Sequence, residues 1–91
     1  MTHDFGIVTK NTTHTYKYYY PITKKVIQVE SGCGCTTIIH DINKQLISFV
    51  VKANKEFPFQ LKTNLYTKLI QPVVTFEDGA IKLQLKISIT K

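Results

Sequence analysis

The C-terminal segment places the strongest constraint on the fold, because its apolar and polar residues alternate strictly. The apolar set is Ile81, Leu83, Leu85, Ile87 and Ile89, and the intervening polar set is Lys82, Gln84, Lys86, Ser88 and Thr90. Successive side chains of a strand point to opposite faces, so residues 80–91 are predicted to form a strand with one buried face. The Glu-Asp-Gly sequence at 77–79 predicts a tight turn, with Val73–Phe76 as a partner strand that Pro72 keeps short.

The same period of two recurs along most of the chain. Further strands are predicted over residues 4–8, 12–20, 25–30, 36–39, 45–53 and 57–65. Val, Ile and Thr make up about a third of the residues and alanine is rare, which favours strands over helices. A chain of 91 residues has room for one domain, over residues 1–91. We therefore predict an all-β fold, an antiparallel immunoglobulin-like β-sandwich of about seven to nine short strands, with a small barrel as the alternative.

A row of tyrosines is the most unusual local feature. Alternation along residues 12–20 predicts that Tyr16 and Tyr18 face the core. Tyrosine offers a large contact area and a polar tip, which suits protein interfaces. The predicted interface residues are Tyr19, Tyr20, Pro21, Lys24 and Lys25.

Cys33 and Cys35 are separated by one glycine. A disulfide between them would close a loop too small to stabilise the fold much, so two reduced, buried thiols with a packing role are expected. On an extended segment the two thiols would share a face, and with His40 they could form part of a soft-metal site. A tetrahedral site needs four ligands, and the only other candidates in the sequence are His3 and His14. Packing is the more usual role of a cysteine, so no metal or other cofactor is expected.

The chain is basic, with a net charge of +6 and no arginine. Arginine supplies the planar fork that binds phosphates and guanine, whereas lysine is a point charge. The lysines are also scattered, with Lys24 and Lys25 as the only adjacent pair. We therefore expect a solvated, solubilising face, and nucleic-acid binding is possible but not favoured. The sequence predicts neither a membrane span nor a signal peptide.

Three local sequences together carry a family resemblance. They are His-Asp-Phe-Gly-Ile-Val at 3–8, Thr-Thr-His-Thr-Tyr-Lys-Tyr at 12–18 and Ser-Gly-Cys-Gly-Cys-Thr at 31–36. In this order they resemble PapD-like immunoglobulin-fold domains of the ASH, HYDIN and major-sperm-protein group. Within that group, the sequence resembles the branch of short bacterial and bacteriophage domains that carry Asp-Phe-Gly and Cys-Gly-Cys-Thr segments. The resemblance implies a seven-stranded sandwich that binds or scaffolds other proteins, with no catalytic role.

The expected function is that of a non-enzymatic structural or protein-interaction module. No motif places a nucleophile and a base on known elements, so no catalytic residues are predicted. The module is expected to be a small subunit of a larger assembly such as a bacteriophage virion, with a decoration, cement or connector role. Its partners would be other proteins of that assembly, and its location the virion or the cytoplasm. The alternatives are a basic nucleic-acid or anionic-surface module, and a metal or redox domain centred on Cys33 and Cys35.

Overall fold

The computed structural model describes residues 2–53 and 65–90. Within those residues the fold is all-β, with nine strands and no helix, which confirms the predicted class. The strands are β1 (Thr2–Thr9), β2 (Thr13–Tyr19), β3 (Val26–Glu30), β4 (Thr36–Asp41), β5 (Leu46–Lys52), β6 (Leu65–Ile70), β7 (Val73–Phe76), β8 (Gly79–Lys82) and β9 (Gln84–Thr90). The strand predicted over residues 57–65 lies outside the described residues, apart from Leu65, where β6 begins.

The strands pair as three three-stranded sheets, in the orders β1-β9-β6, β2-β5-β4 and β3-β7-β8. β1 runs parallel to β9, whereas the other pairs of described strands are antiparallel. The parallel pair departs from the wholly antiparallel prediction. It joins strands that are far apart along the chain, so no tight turn dictates their relative direction.

β6, β7, β8 and β9 form one hairpin that is interrupted in its middle. The register pairs on the two sides of the interruption are Ile70 with Leu85 and Val73 with Lys82. Two residues lie between these pairs on each arm, so the register is unchanged across the break. Pro72 has no N–H to donate to the ladder, although the N–H of Leu83 donates to its carbonyl at 2.9 Å. The strand predicted over residues 80–91 is therefore divided into β8 and β9.

The hairpin tip is a two-residue turn of Glu77 and Asp78, because Phe76 pairs with Gly79. The turn predicted at 77–79 is confirmed, and so are the bounds of its partner strand, Val73–Phe76. In many hairpins an Asp-Gly pair forms the two-residue turn. Here Gly79 is already the first residue of β8, so the two turn residues are shifted by one position, to Glu77 and Asp78.

β5 and β9 supply the centre of the core. Ile47 and Phe49 on β5 are fully buried, and so are Leu85 and Ile87 on β9. The buried faces predicted from alternation along these two segments are confirmed. The hydrophobic core cluster comprises the buried residues Val8, Tyr20, Ile47, Phe49, Val51, Ala53, Ile70, Val74, Phe76, Leu83, Leu85, Ile87 and Ile89.

Gly6 lies at an irregularity in β1. The register with β9 shifts between Asp4 and Ile7, and Gly6 has a φ of 75° at that point. Its N–H donates to the Asp4 carboxylate at 2.8 Å. Glycine adopts this left-handed conformation without the steric cost that other residues meet, which is why it is favoured at such bulges.

Gly32 lets the β3–β4 connection approach the middle of the hairpin. Its φ is 72°, and a Cβ at this position would lie 2.5 Å from the backbone oxygen of Gln71. A side chain here would force one of the two backbones to move. The close approach places Cys33 and Cys35, which follow Gly32 in the sequence, against the hydrophobic core.

Candidate interaction site

Three of the five predicted interface residues, Tyr20, Lys24 and Lys25, line a groove between the β2–β3 connection and the β4–β5 turn. We call this the β2–β3 groove; it has a volume of about 360 Å³. Its lining residues are Tyr20, Ile22, Lys24, Lys25, Val26, His40, Ile42 and Gln45. Pro21 lies beside it and lines a smaller neighbouring cleft together with Lys24 and Phe76.

A hydrogen bond between Tyr20 and His40 forms the floor of the groove. The Tyr20 hydroxyl and His40 Nε2 are 2.6 Å apart, and the Tyr20 ring also packs near Phe76 with a centroid distance of 5.9 Å. Tyr20 is only 8% exposed. The expected exposure of its ring is therefore wrong, because the inward face of β2 continues one residue past the end of the strand. Its place at an interface stays a prediction. The same alternation that buries Tyr16 and Tyr18 contained this signal.

Tyr19 is exposed and points to the opposite face of β2 from its neighbour Tyr18. Tyr18 and Tyr16 pack against the core, as predicted. Burial raises the pKa of the Tyr18 phenol, and the nearby Tyr16 phenol raises it further. Tyr19 therefore lies on a different face of the domain from the floor of the groove.

Two isoleucines form exposed walls of the groove. Ile22 is 81% exposed and Ile42 is 70% exposed, and both lie in turns outside the strands. Covering such a side chain would contribute roughly 1.5–3 kcal/mol. Neither residue is among the predicted site residues. The signal that could have found them is a large aliphatic residue in a short polar turn, where the core offers it no place.

Ion pairs connect the groove to the tip of the β7–β8 hairpin. The Lys24 ammonium donates to the Asp78 carboxylate, and Lys25 Nζ lies 3.6 Å from the Glu77 carboxylate. The hydrogen bond from Lys24 lowers the pKa of Asp78 below its ordinary range. Lys24 also lies 5.6 Å from the centre of the Phe76 ring. These contacts offset part of the positive charge of the only adjacent lysine pair.

The cysteines form a disulfide, so the expectation of two reduced thiols is wrong. The Cα atoms of Cys33 and Cys35 are 5.3 Å apart, within the range that a disulfide requires. The segment bends here, since the N–H of Thr36 donates to the Cys33 carbonyl at 3.2 Å. The entropy argument concerned how much such a bond stabilises the fold, and it did not address whether the geometry allows it.

The candidate metal ligands do not converge. His40 lies at the other end of β4 from Cys35, roughly 17 Å away along an extended strand, and its ring is engaged with Tyr20. His3 and His14 lie among the aromatic side chains of β1 and β2. Over residues 2–53 and 65–90, no group of three or more His, Cys, Asp or Glu side chains is arranged to hold a metal ion.

Comparison of the chain with protein-family models, with curated proteins and with solved structures found no match. Among the residues that the structure describes, there is no helix whose length and apolar character would let it cross a membrane.

Proposed function

We propose that this chain is a non-enzymatic protein-interaction module with an immunoglobulin-like sandwich fold, working as a small subunit of a larger assembly. The unbroken register of the hairpin supports one layer that contains β1, β3 and the four hairpin strands. The sheet β2-β5-β4 would form the second layer. The buried residues of both layers belong to a single core cluster, as a sandwich requires.

The observation that carries the interaction role is the pair of exposed isoleucines at the β2–β3 groove. Ile22 and Ile42 stand at the walls of a concavity, and its floor is already rigid because Tyr20 is hydrogen-bonded to His40. A concave apolar surface with a preorganised floor costs little conformational entropy when a partner binds. Large apolar side chains grouped on a surface mark interaction sites more often than isolated ones do.

The charge of the rim indicates the chemistry of the partner. The Lys25 side chain is largely exposed and its ion pair with Glu77 is long, so it retains the capacity to contact a second carboxylate. The chain as a whole carries a net charge of +6. We therefore propose an acidic protein segment with one or two large apolar side chains as the occupant of the groove. The family resemblance suggests a bacteriophage particle as the assembly that supplies it.

A matched pair of double variants tests this proposal. Ile22→Lys with Ile42→Lys places charges on the walls of the groove, whereas Ile7→Lys with Ile39→Lys adds the same charge at other exposed isoleucines. We expect native mass spectrometry of material purified from the source lysate to show a stoichiometric protein partner with the wild type and the control. That partner is expected to be lost from the groove variant.

Two results would overturn the proposal. One is a wild-type chain that purifies as a free monomer, and the other is equal partner binding by both double variants. Binding of nucleic acid with an affinity that falls steeply between low and moderate salt would instead favour the basic-surface alternative. The ion pairs of Lys24 and Lys25 are the reason for ranking that alternative second.

A further inference from the structure

The disulfide between Cys33 and Cys35 has polar neighbours on both of its sulfur atoms. The Nζ atom of Lys68 lies 3.5 Å from the Cys35 sulfur, and the Thr36 hydroxyl lies 3.7 Å from the same atom. The backbone N–H of Cys35 donates to the Cys33 sulfur at 3.2 Å. Both cysteines are half-buried, so each packs against the core while retaining some access to solvent.

These neighbours do little for a disulfide as a structural bond. A bridge across one residue removes little conformational freedom from the unfolded chain, so its contribution to stability is small. A neutral disulfide also gains little from an ammonium group. A thiolate, in contrast, is strongly stabilised by a nearby lysine and by a backbone N–H. The surroundings of the two sulfurs therefore fit the reduced, anionic form of the site better than the oxidised one.

Lys68 reaches this site from a different sheet. It lies on β6, in the sheet β1-β9-β6, whereas Cys35 immediately precedes β4 in the sheet β2-β5-β4. The Lys68 side chain is half-buried, while Lys86 on the neighbouring β9 is exposed. The position of Lys68 thus differs from that of an ordinary solubilising lysine.

We infer that Cys33 and Cys35 form a thiol–disulfide exchange site whose reductant is a small or protein dithiol. The thiolate of the dithiol attacks the Cys33 sulfur, and the Cys33–Cys35 bond breaks. Its electron pair goes to Cys35, whose thiolate is held by the Lys68 ammonium and later takes up a proton. The second thiol of the reductant loses its proton and attacks the reductant's own sulfur in the mixed disulfide. This releases the Cys33 thiolate beside the Cys35 N–H, where it too takes up a proton. The dithiol leaves as a disulfide and the protein gains two thiols.

The direction of attack follows from the position of the lysine. Disulfide exchange is faster when the departing sulfur is the better stabilised anion. Lys68 contacts Cys35, so Cys35 is the departing sulfur and Cys33 is the atom attacked. At the 3.5 Å between the Lys68 ammonium and the Cys35 sulfur, the attraction between two unit charges in water corresponds to about a tenfold factor in an equilibrium or a rate.

Dithiothreitol opening of the purified protein tests the inference, with Lys68→Gln compared against Lys86→Gln, which changes the net charge equally. We expect Lys68→Gln to slow opening several-fold, up to about tenfold, and Lys86→Gln to leave the rate unchanged. Lys68→Arg, which retains the charge, is expected to restore most of the rate. For the two-electron couple, a tenfold change in the equilibrium corresponds to about 30 mV. Equal rates for Lys68→Gln and Lys86→Gln would overturn the role of Lys68.

A trapping experiment tests the direction independently. Brief treatment with glutathione, followed by an acid quench and peptide mass mapping, is expected to place the adduct on Cys33. An adduct found mainly on Cys35 contradicts the assignment. Circular dichroism of each variant checks that the strands are retained. The groove variants at Ile22 and Ile42 should open at the wild-type rate, so failure of this inference is distinguishable from failure of the proposed function.

Discussion

Replacing Gly32 with alanine tests the close approach between the β3–β4 connection and the interrupted hairpin. Alanine in the left-handed region costs roughly 1–2 kcal/mol. The added methyl group would also lie 2.5 Å from the Gln71 backbone oxygen, and relieving such overpacking costs about 1–3 kcal/mol more. The smaller freedom of alanine in the unfolded chain returns about 0.4–1 kcal/mol. We expect a net loss of about 1–4.5 kcal/mol in the free energy of unfolding.

Two other glycines separate the contributions to this loss. Gly6 has a similar φ of 75° but open space around the Cβ position, so Gly6→Ala should cost only about 0.5–1.5 kcal/mol. Gly34 has neither a left-handed φ nor a close neighbour, so Gly34→Ala should be neutral or slightly stabilising. The three variants share one chemical change, and only Gly32→Ala combines the conformational cost with a backbone clash.

Chemical denaturation of the three variants without reductant provides the measurement. For a domain of this size, each kcal/mol corresponds to about 4–8 °C in melting temperature, so in thermal unfolding Gly32→Ala should melt about 4–36 °C below the wild type. The total stability of such a domain is about 5–10 kcal/mol, so the variant should retain a folded population at low temperature. A Gly32→Ala protein within about 0.5 kcal/mol of Gly34→Ala would refute the reasoning, because neither the clash nor the strain would then exist.

Three further predictions concern charge, a phenol and the core. The contribution of the Lys24–Asp78 pair to stability is present above the ordinary pKa of Asp78 and is lost as pH falls through the lowered pKa of Asp78 in the folded protein. Carboxyl NMR should show that Lys24→Gln returns the pKa of Asp78 toward its ordinary range. The raised pKa of Tyr18 gives a contribution to folding stability that is present below the ordinary phenol pKa of 10.0 and is lost as pH rises through the raised pKa. In an absorbance titration of the tyrosines, Tyr18→Phe should remove the phenol that ionises at this higher pH. Phe49→Ala should cost about 3–5 kcal/mol in denaturant unfolding, against at most about 0.5 kcal/mol for the exposed Ile39→Ala.

Strands with one buried face were the part of the fold most accessible from the sequence. β5 and β7 follow their predicted ranges closely, because alternation and turn residues are local properties of the chain. The parallel pairing of β1 with β9 is not local, and no feature of either segment specifies its partner. The interruption at Pro72 has a local cause, because proline has no N–H for the ladder. Its effect on the opposite arm, the break between β8 and β9 at Leu83, was not predicted because the apolar–polar alternation continues through Leu83.

The candidate site was predicted less completely than the fold. Lys24 and Lys25 are at the groove, but Tyr20 contributes to its floor from within the core. Ile22 and Ile42 come together only because the β2–β3 and β4–β5 connections lie at the same end of the molecule. The lysine beside the disulfide is more distant still, since Lys68 and Cys35 are 33 residues apart. Convergence of this kind depends on tertiary packing, which a pattern of neighbouring residues does not encode.

The pairing of β1 with β9 has a consequence for how the protein acquires its fold during synthesis. The hydroxyl of Thr90 donates to the carbonyl of Val8 across 82 residues of sequence. A nascent chain that has emerged only as far as β8 therefore holds β1 without its sheet neighbour. Non-local contacts of this kind slow folding, because loop closure must precede any gain from pairing. Until β9 leaves the ribosome, both sides of β1 are unpaired, including the side that β9 later covers, and chaperones or neighbouring chains can add there.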